Sequence, residues 1–183
     1  MDWEFYILNF IRDNFSDSIL DFIARTLGFL GRGPIYAVIL ILAFIFKRSR
    51  PFARSLSASL ILSLTCCNLI IKNIVARIRP YDLNTTISLI VKAEHDYSFP
   101  SAHTVLAFVT ATTVFIYNKP LGAVAYIFAV LMGLSRLYLY IHFPTDVICG
   151  MIFGILLSLA GHYIVGLLFP DKSRLSKHKE ETN

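Results

Sequence analysis

VICGMIFGILLSLAGHYIVGLLFP, residues 147–170, runs for 24 residues without an Asp, Glu, Lys or Arg. The hydrocarbon core of a bilayer is about 30 Å thick, and a helix needs about 20 mostly apolar residues to cross it. This run is therefore read as a membrane-spanning helix, and the fold follows from finding its companions. Uncharged runs also occupy residues 33–46, 55–71, 97–118 and 120–135. The second continues through Lys72 to Ala76, and the fourth through Arg136 to Tyr140. The first is short, but Lys47 and Arg48 at its end can snorkel to the interface. Across all 183 residues the chain is 56% hydrophobic and 16% charged, against roughly 25% charged in soluble domains. Eight charges lie in residues 1–32 and seven in 171–183, which leaves 14 for the 138 residues between. Disorder, a collagen-like chain and a soluble disulfide scaffold are excluded. The reading is an all-α integral membrane bundle of about six transmembrane helices, five hydrophobic and one amphipathic at the N-terminus. Residues 1–170 form one domain, followed by a short basic tail, 171–183.

The first 32 residues follow a different pattern. Phe15, Ile19, Phe22, Ile23, Leu27 and Leu30 recur at helical spacing. Asp17, Asp21 and Arg25 form a polar stripe, with Asp21 and Arg25 spaced to pair. This amphipathic helix either makes a sixth span or lies on the membrane surface. Residues 2–14, with Trp3, Phe5, Tyr6 and Phe10, suit an interfacial helix with an aromatic anchor. They lack the basic start and small-residue cleavage site of a secretory signal.

Loop charges set the sidedness. Residues 47–54 hold Lys47, Arg48, Arg50 and Arg54, and the tail holds Lys172, Arg174, Lys177 and Lys179. Positive segments stay in the cytoplasm, so threading the spans outward places residues 77–100 and 141–146 outside and the C-terminus inside. The net charge of +5 reflects this sidedness. No Lys/Arg stripe interleaved with aromatics marks a nucleic-acid partner. Cys66, Cys67 and Cys149 lack metal spacing and are read as small core residues. No zinc constellation, P-loop or dinucleotide fingerprint is present, nor an internal repeat of the kind inverted-repeat transporters carry.

Charges inside or at the ends of spans are costly, so each is a functional candidate. Lys72 lies within Leu69-Ile70-Ile71 and Ile74-Val75, and Arg79 follows two helical turns later, before Pro80. That spacing puts Lys72 and Arg79 on one helix face, with Arg77 on another and Pro80 ending the helix. Ser98-Phe99-Pro100-Ser101-Ala102-His103-Thr104 leads into a span. Ser101 is its expected N-cap, and its free N–H groups and dipole favour an anion. Arg136 sits late in an apolar helix, and Asp146 follows His142 by four residues across a turn. That pair can form a carboxylate–imidazole hydrogen bond. Taken singly, these are snorkelling cations, a capped helix with a satisfied histidine, and a polar cap. Combined, they fall on one membrane face. Three clustered cations repel one another unless an anion sits among them. Two imidazoles supply a nucleophile and an acid for a leaving group, as phosphoryl transfer requires.

The pattern Lys72, Arg79-Pro80; Pro100-Ser101-Ala102-His103; Ser135-Arg136, His142, Asp146 closely resembles the type-2 phosphatidic acid phosphatase family. That family is the membrane branch of a superfamily containing soluble acid phosphatases and vanadium haloperoxidases. The three motifs come in family order over residues 72–146. The chain departs at Ala102, where the family usually has glycine; the N–H is retained, and the methyl is expected to tighten the loop or trim substrate choice.

The resemblance implies that Lys72, Arg79 and Arg136 hold phosphate oxygens, with Ser101 and the Ala102 backbone completing the cradle. It implies that His142 attacks phosphorus, Asp146 orients it, and His103 protonates the departing oxygen and then activates water. It implies no metal and no cofactor. The expected partner is a lipid phosphate or diphosphate held among membrane lipids, with undecaprenyl diphosphate foremost. Phosphatidylglycerol phosphate and phosphatidic acid are rivals. A lipid phosphotransferase would use the same residues, whereas a transporter has no need of a His–Asp pair beside three cations. Residues 81–99 are the expected lid, with Glu94, His95 and Asp96 read as solvated.

Overall fold

The computed structural model describes residues 2–170. The expected basic tail, 171–183, lies outside the described residues. The described residues are helical, with no strand among them. In chain order they form α1 (Asp2–Phe15), α2 (Ser18–Leu30), α3 (Gly33–Ile45) and α4 (Arg50–Ser63). A π-helical stretch, Leu64–Ile71, carries α4 into α5 (Lys72–Val75). Then follow α6 (Pro80–Leu83), α7 (Ala102–Tyr117), α8 (Lys119–Tyr138) and α9 (Pro144–Leu168).

The boundaries follow local chemistry. Proline occupies the first turn of α3, α4, α8 and α9, where its missing N–H costs nothing and its fixed φ suits a helix. The Asp17 carboxylate caps α2, accepting from Ile19 N at 3.1 Å. Asn118 caps α8 by accepting from Leu121 N at 3.1 Å.

By length and composition three segments can cross a membrane: α8, α9 and residues 47–83, which contain the α4–α5 rod. The pair α2–α3, bent by 55°, adds a fourth if it forms one broken span, and α7 is a shorter apolar helix. Two of the expected spans are thus short helices, and the amphipathic N-terminal one is half of a bent pair.

Packing explains which faces turn inward. In α9, Ile148, Ile152, Leu156, Leu159, Tyr163 and Leu167 are exposed, while Gly150, Gly154, Ser158 and Gly161 are buried. The buried stripe lets α4 and α7 approach backbone to backbone, as small residues do within membranes. A Cβ at Gly154 would lie 2.6 Å from Phe108 Cβ and 2.8 Å from Val105 O, and one at Gly161 2.7 Å from Ser59 N. Hydroxyls complete the seam. Ser59 Oγ donates to Ser55 O at 2.8 Å and Ser158 O at 3.3 Å, and Thr113 Oγ1 lies 2.9 Å from Ser158 Oγ. The wider π turn re-phases the α4 rod, so Lys72 is buried while Leu69, Ile70 and Ile74 face outward. At the same end of the bundle, Leu8 of α1 joins Leu137, Tyr140, Ile141, Phe143 and Val147 in one apolar cluster. Helix α1 thus docks through Glu4 and Leu8, with Trp3, Tyr6 and Phe10 exposed.

Candidate active site

The C-terminal ends of α5 and α8 and the N-terminal ends of α7 and α9 meet at this end, and the loop after α6 folds across them. Lys72 and Arg79 come together, but by a different route from the expected one. The helix stops at Val75, because Ala76 adopts φ 46° in the left-handed region. Residues beyond it run extended, pinned by Ser98 N donating to Arg77 O at 2.8 Å. Arg79 precedes α6, and Pro80 starts that helix rather than ending the previous one.

Arg79 is fully buried. Its Nε donates to Asp96 O at 2.8 Å and its Nη1 to Ile141 O at 2.9 Å. Nη2 pairs with Asp96 Oδ1 and Glu94 Oε2, each at 2.5 Å. Lys72 Nζ pairs with Asp96 Oδ2. Glu94 and Asp96, expected to be solvated, are therefore carboxylates seated on cations; His95 alone of the three is exposed without an ion pair among the described residues. Burial raises the Asp96 carboxyl, but Lys72 and Arg79 more than reverse this and hold it below the usual carboxylate range. Burial likewise raises Glu94, and Arg79, His142 and His103 together bring it below its ordinary value. Glu94 thus stands within the field of both imidazoles.

His142 is buried in the α8–α9 connection. Its Nε2 lies 3.3 Å from Arg79 Nη1. Its Nδ1 lies 3.6 Å from Asp146 Oδ2, beyond hydrogen-bond reach, and 3.4 Å from Ser98 Oγ. Ser98 Oγ also donates to Asp146 Oδ2, so a hydroxyl bridges the expected His–Asp pair. Asp146 Oδ2 additionally accepts from Phe143 N at 2.9 Å. Burial, and then Arg79, hold the imidazole below its ordinary value against the pull of Asp146. A lowered value leaves the ring neutral near pH 7, with Nδ1 toward Ser98 and Asp146 and Nε2 toward Arg79.

The other Asp146 oxygen belongs to a second network. Arg77 Nη1 donates to Asp146 Oδ1 and Thr145 Oγ1, each at 2.6 Å, and Nη2 to Glu4 Oε2 at 2.6 Å. Thr145 Oγ1 donates to Glu4 Oε1 at 2.7 Å. The Arg77 guanidinium also stacks 4.1 Å from the Phe143 ring centroid. Sequence reasoning gave Ser98, Arg77, Thr145 and Glu4 no role. Arg77 offered the one available signal, as a further charge within the same motif.

Ser101 precedes α7 with its side chain buried, but that side chain makes no capping bond. Its N donates to Asp146 O at 3.2 Å and its Oγ accepts from Thr104 Oγ1 at 3.0 Å. Ala102 begins α7 with a negative φ, so its methyl costs no backbone strain. Arg136 is buried, its Nη2 donating to Ser135 Oγ at 3.0 Å and Ala24 O at 3.4 Å. Gly28 admits this guanidinium, since a Cβ there would meet Nη2 at 2.7 Å. His103 lies across Gly31 in the same way, its Cδ2 2.6 Å from where a Cβ would sit. His103 and Arg136 line one cavity with Glu94, while Arg79 lines a neighbouring one with Glu94 and Asp96. Among the described residues no group of His, Cys, Asp and Glu is arranged to hold a metal. The three cysteines are free, with Cys67 buried as a small core residue.

A sequence model described as PAP2 superfamily matches residues 28–169. The chain is 30% identical to an undecaprenyl-diphosphatase of Sulfolobus acidocaldarius over 68% of its own length and 60% of that protein's. It is 29% identical to undecaprenyl-diphosphatase BcrC of Bacillus subtilis over 74% of its own length and 70% of that protein's. The match thus spans less than two thirds of the first of these relatives. Among solved structures the chain is similar to Aquifex aeolicus LpxE, with a TM-score of 0.73 and 26% identity over 87% of this chain and 94% of that one.

Proposed function

The chain belongs to the PAP2 superfamily, and from that premise we propose that it hydrolyses a lipid phosphate or diphosphate at a membrane surface through a phosphohistidine. One observation carries the reading. Arg79, set against His142 Nε2 at 3.3 Å, ends at a place already occupied by carboxylates, so the site binds an anion beside a neutral, buried nucleophile.

In the proposed reaction the phosphoryl group displaces Glu94 and Asp96 from Arg79 and Lys72. Lys72, Arg79 and Arg136 take its oxygens, with Ser101 and the first amides of α7 alongside. Fixed cations of this kind stabilise charge that develops in the transition state. His142 Nε2 attacks phosphorus, and the bond to the leaving oxygen breaks with its electron pair going to that oxygen. His103 supplies the proton. Asp146, through the bridging Ser98 hydroxyl, orients His142, and its negative charge favours the cationic ring as it forms. His103 then removes a proton from water, which attacks the phosphohistidine, frees inorganic phosphate and restores His142. The charge is handled by side chains, so turnover persists in excess chelator, and vanadate inhibits by mimicking five-coordinate phosphorus.

The lipid character of the substrate is supported by an apolar cavity of about 380 Å³ between α1, α2 and α8. It reaches Ser135, the neighbour of Arg136. Two of the relatives are undecaprenyl-diphosphatases, which favours undecaprenyl diphosphate as the substrate, giving undecaprenyl phosphate and phosphate. In this reading the site faces outward and the C-terminus lies in the cytoplasm, an orientation that the basic loop 47–54 and the basic tail support. Phosphate release from a panel of lipid phosphates and diphosphates, in detergent with chelator, tests the proposal. A preference of about tenfold, or about 1.4 kcal/mol of transition-state discrimination, identifies the substrate. Transfer to an acceptor lipid without free phosphate would mark a phosphotransferase, and no reaction with any member would overturn the hydrolase reading.

A further inference from the structure

The cavity that holds His103 carries more positive charge than the chemistry above uses. It measures about 230 Å³ and is lined by Arg25 and Arg32 from α2 and its end, Lys92 and Glu94 from the loop, His103 and Arg136. Neither His142 nor Asp146 lines it. Arg25, Arg32 and Lys92 are exposed, and none pairs with a carboxylate among the described residues. The Asp21–Arg25 pair expected from their spacing does not form, because Tyr138 Oη donates to Asp21 Oδ1 at 2.6 Å. Arg25 is left to the cavity.

We infer that this cavity is a leaving-group subsite for a second phosphate, so that Arg25, Arg32 and Lys92 select a lipid diphosphate over a lipid monophosphate. The inference rests on the hydrolase reading and names the substrate class of that site. In-line displacement expels the leaving group on the side away from the nucleophile. His103, the proton donor to the leaving oxygen, marks that side, and the cations surround it. When a phosphomonoester is cleaved the leaving group is an alcohol, neutral once protonated, and cations there gain only from the charge that builds on one oxygen before protonation. When a diphosphate is cleaved, the P–O bond between the two phosphorus atoms breaks. Its electron pair stays on a lipid monophosphate, which departs with its negative charge. Cations at that position stabilise the transition state of the second class more than that of the first. Their exposure lets the product leave into the interface.

The test uses the purified full chain in detergent, with farnesyl diphosphate and farnesyl phosphate as probes. Arg25→Ala, Arg32→Ala and Lys92→Ala are made singly and together. The wild type is expected to favour the diphosphate in kcat/KM. The triple variant is expected to lose at least about tenfold more on the diphosphate than on the monophosphate, with most of that selectivity recovered when Arg25 is changed to Lys instead of Ala. Turnover of the monophosphate by the variant reports that it is folded. Equal losses on both probes, or an unchanged ratio, would overturn the subsite while leaving the hydrolase intact. Wild-type preference for the monophosphate would do the same. Wild-type silence on both probes and on the wider lipid panel would overturn the hydrolase reading, and the subsite with it.

Discussion

Arg77→Met removes the guanidinium that joins α1, the start of α9 and the carboxylate behind His142. The wild-type side chain is 15% exposed, and its partners Glu4 and Asp146 are 5% and 0% exposed. Its loss leaves two buried carboxylates facing a vacated position. Removing one partner of a buried ion pair costs about 3–5 kcal/mol, mostly through the uncompensated charge left behind. The stack on Phe143, at 4.1 Å, adds about 0.5–1 kcal/mol. Glu4→Gln in the same background neutralises one of the orphaned carboxylates while keeping an acceptor for Thr145. The double variant should therefore be more stable than Arg77→Met alone, by the roughly 0.5–3 kcal/mol typical of coupled neighbours. Turnover should recover less than stability, because Asp146 Oδ1 still lacks its donor. Thermal unfolding in detergent and phosphate release, run on both singles and the double, give the cycle. Additive losses, with the double less stable than Arg77→Met, would refute the coupling and with it the idea that α1 helps set the catalytic carboxylate.

Asp96→Asn should tighten vanadate binding by about fivefold, since a half-exposed ion pair that competes with the ligand contributes about 1 kcal/mol; weaker binding would mean that Asp96 helps to hold the ligand. If His142 attacks in its neutral form, as proposed, its lowered pKa puts the acid limb of kcat/KM below about pH 6.5. A limb above that value would place another group in control. Gly154→Ala should cost about 1–3 kcal/mol by overpacking, because the added methyl meets Phe108 Cβ at 2.6 Å and the fixed carbonyl of Val105 at 2.8 Å; unchanged thermal stability would deny the α7–α9 seam its tightness.

The helical membrane bundle was legible because long apolar runs have one economical solution in lipid. The candidate residues were legible for the complementary reason that Lys72, Arg136 and Asp146 break those runs at a cost. What stayed hidden depends on chain reversals. Nothing about Ala76 announces a left-handed residue, so spacing alone puts Lys72 and Arg79 on one continuous helix. Glu94 and Asp96 read as solvated because no local pattern tells that their loop folds back over two cations. Glu4 and Arg77 are separated by 73 residues, and only the docking of α1 brings them together. Asp21 found Tyr138 rather than Arg25, a tertiary hydroxyl displacing the helical neighbour that spacing favours.

The most direct test is to quench the enzyme in alkali during turnover of a lipid diphosphate and locate the phosphoryl group by peptide mass spectrometry. The expected result is a phosphohistidine on the peptide containing His142, absent in His142→Ala, whose turnover is lost. A phosphoryl group on His103 instead, or full turnover by His142→Ala, would contradict the assignment of the nucleophile.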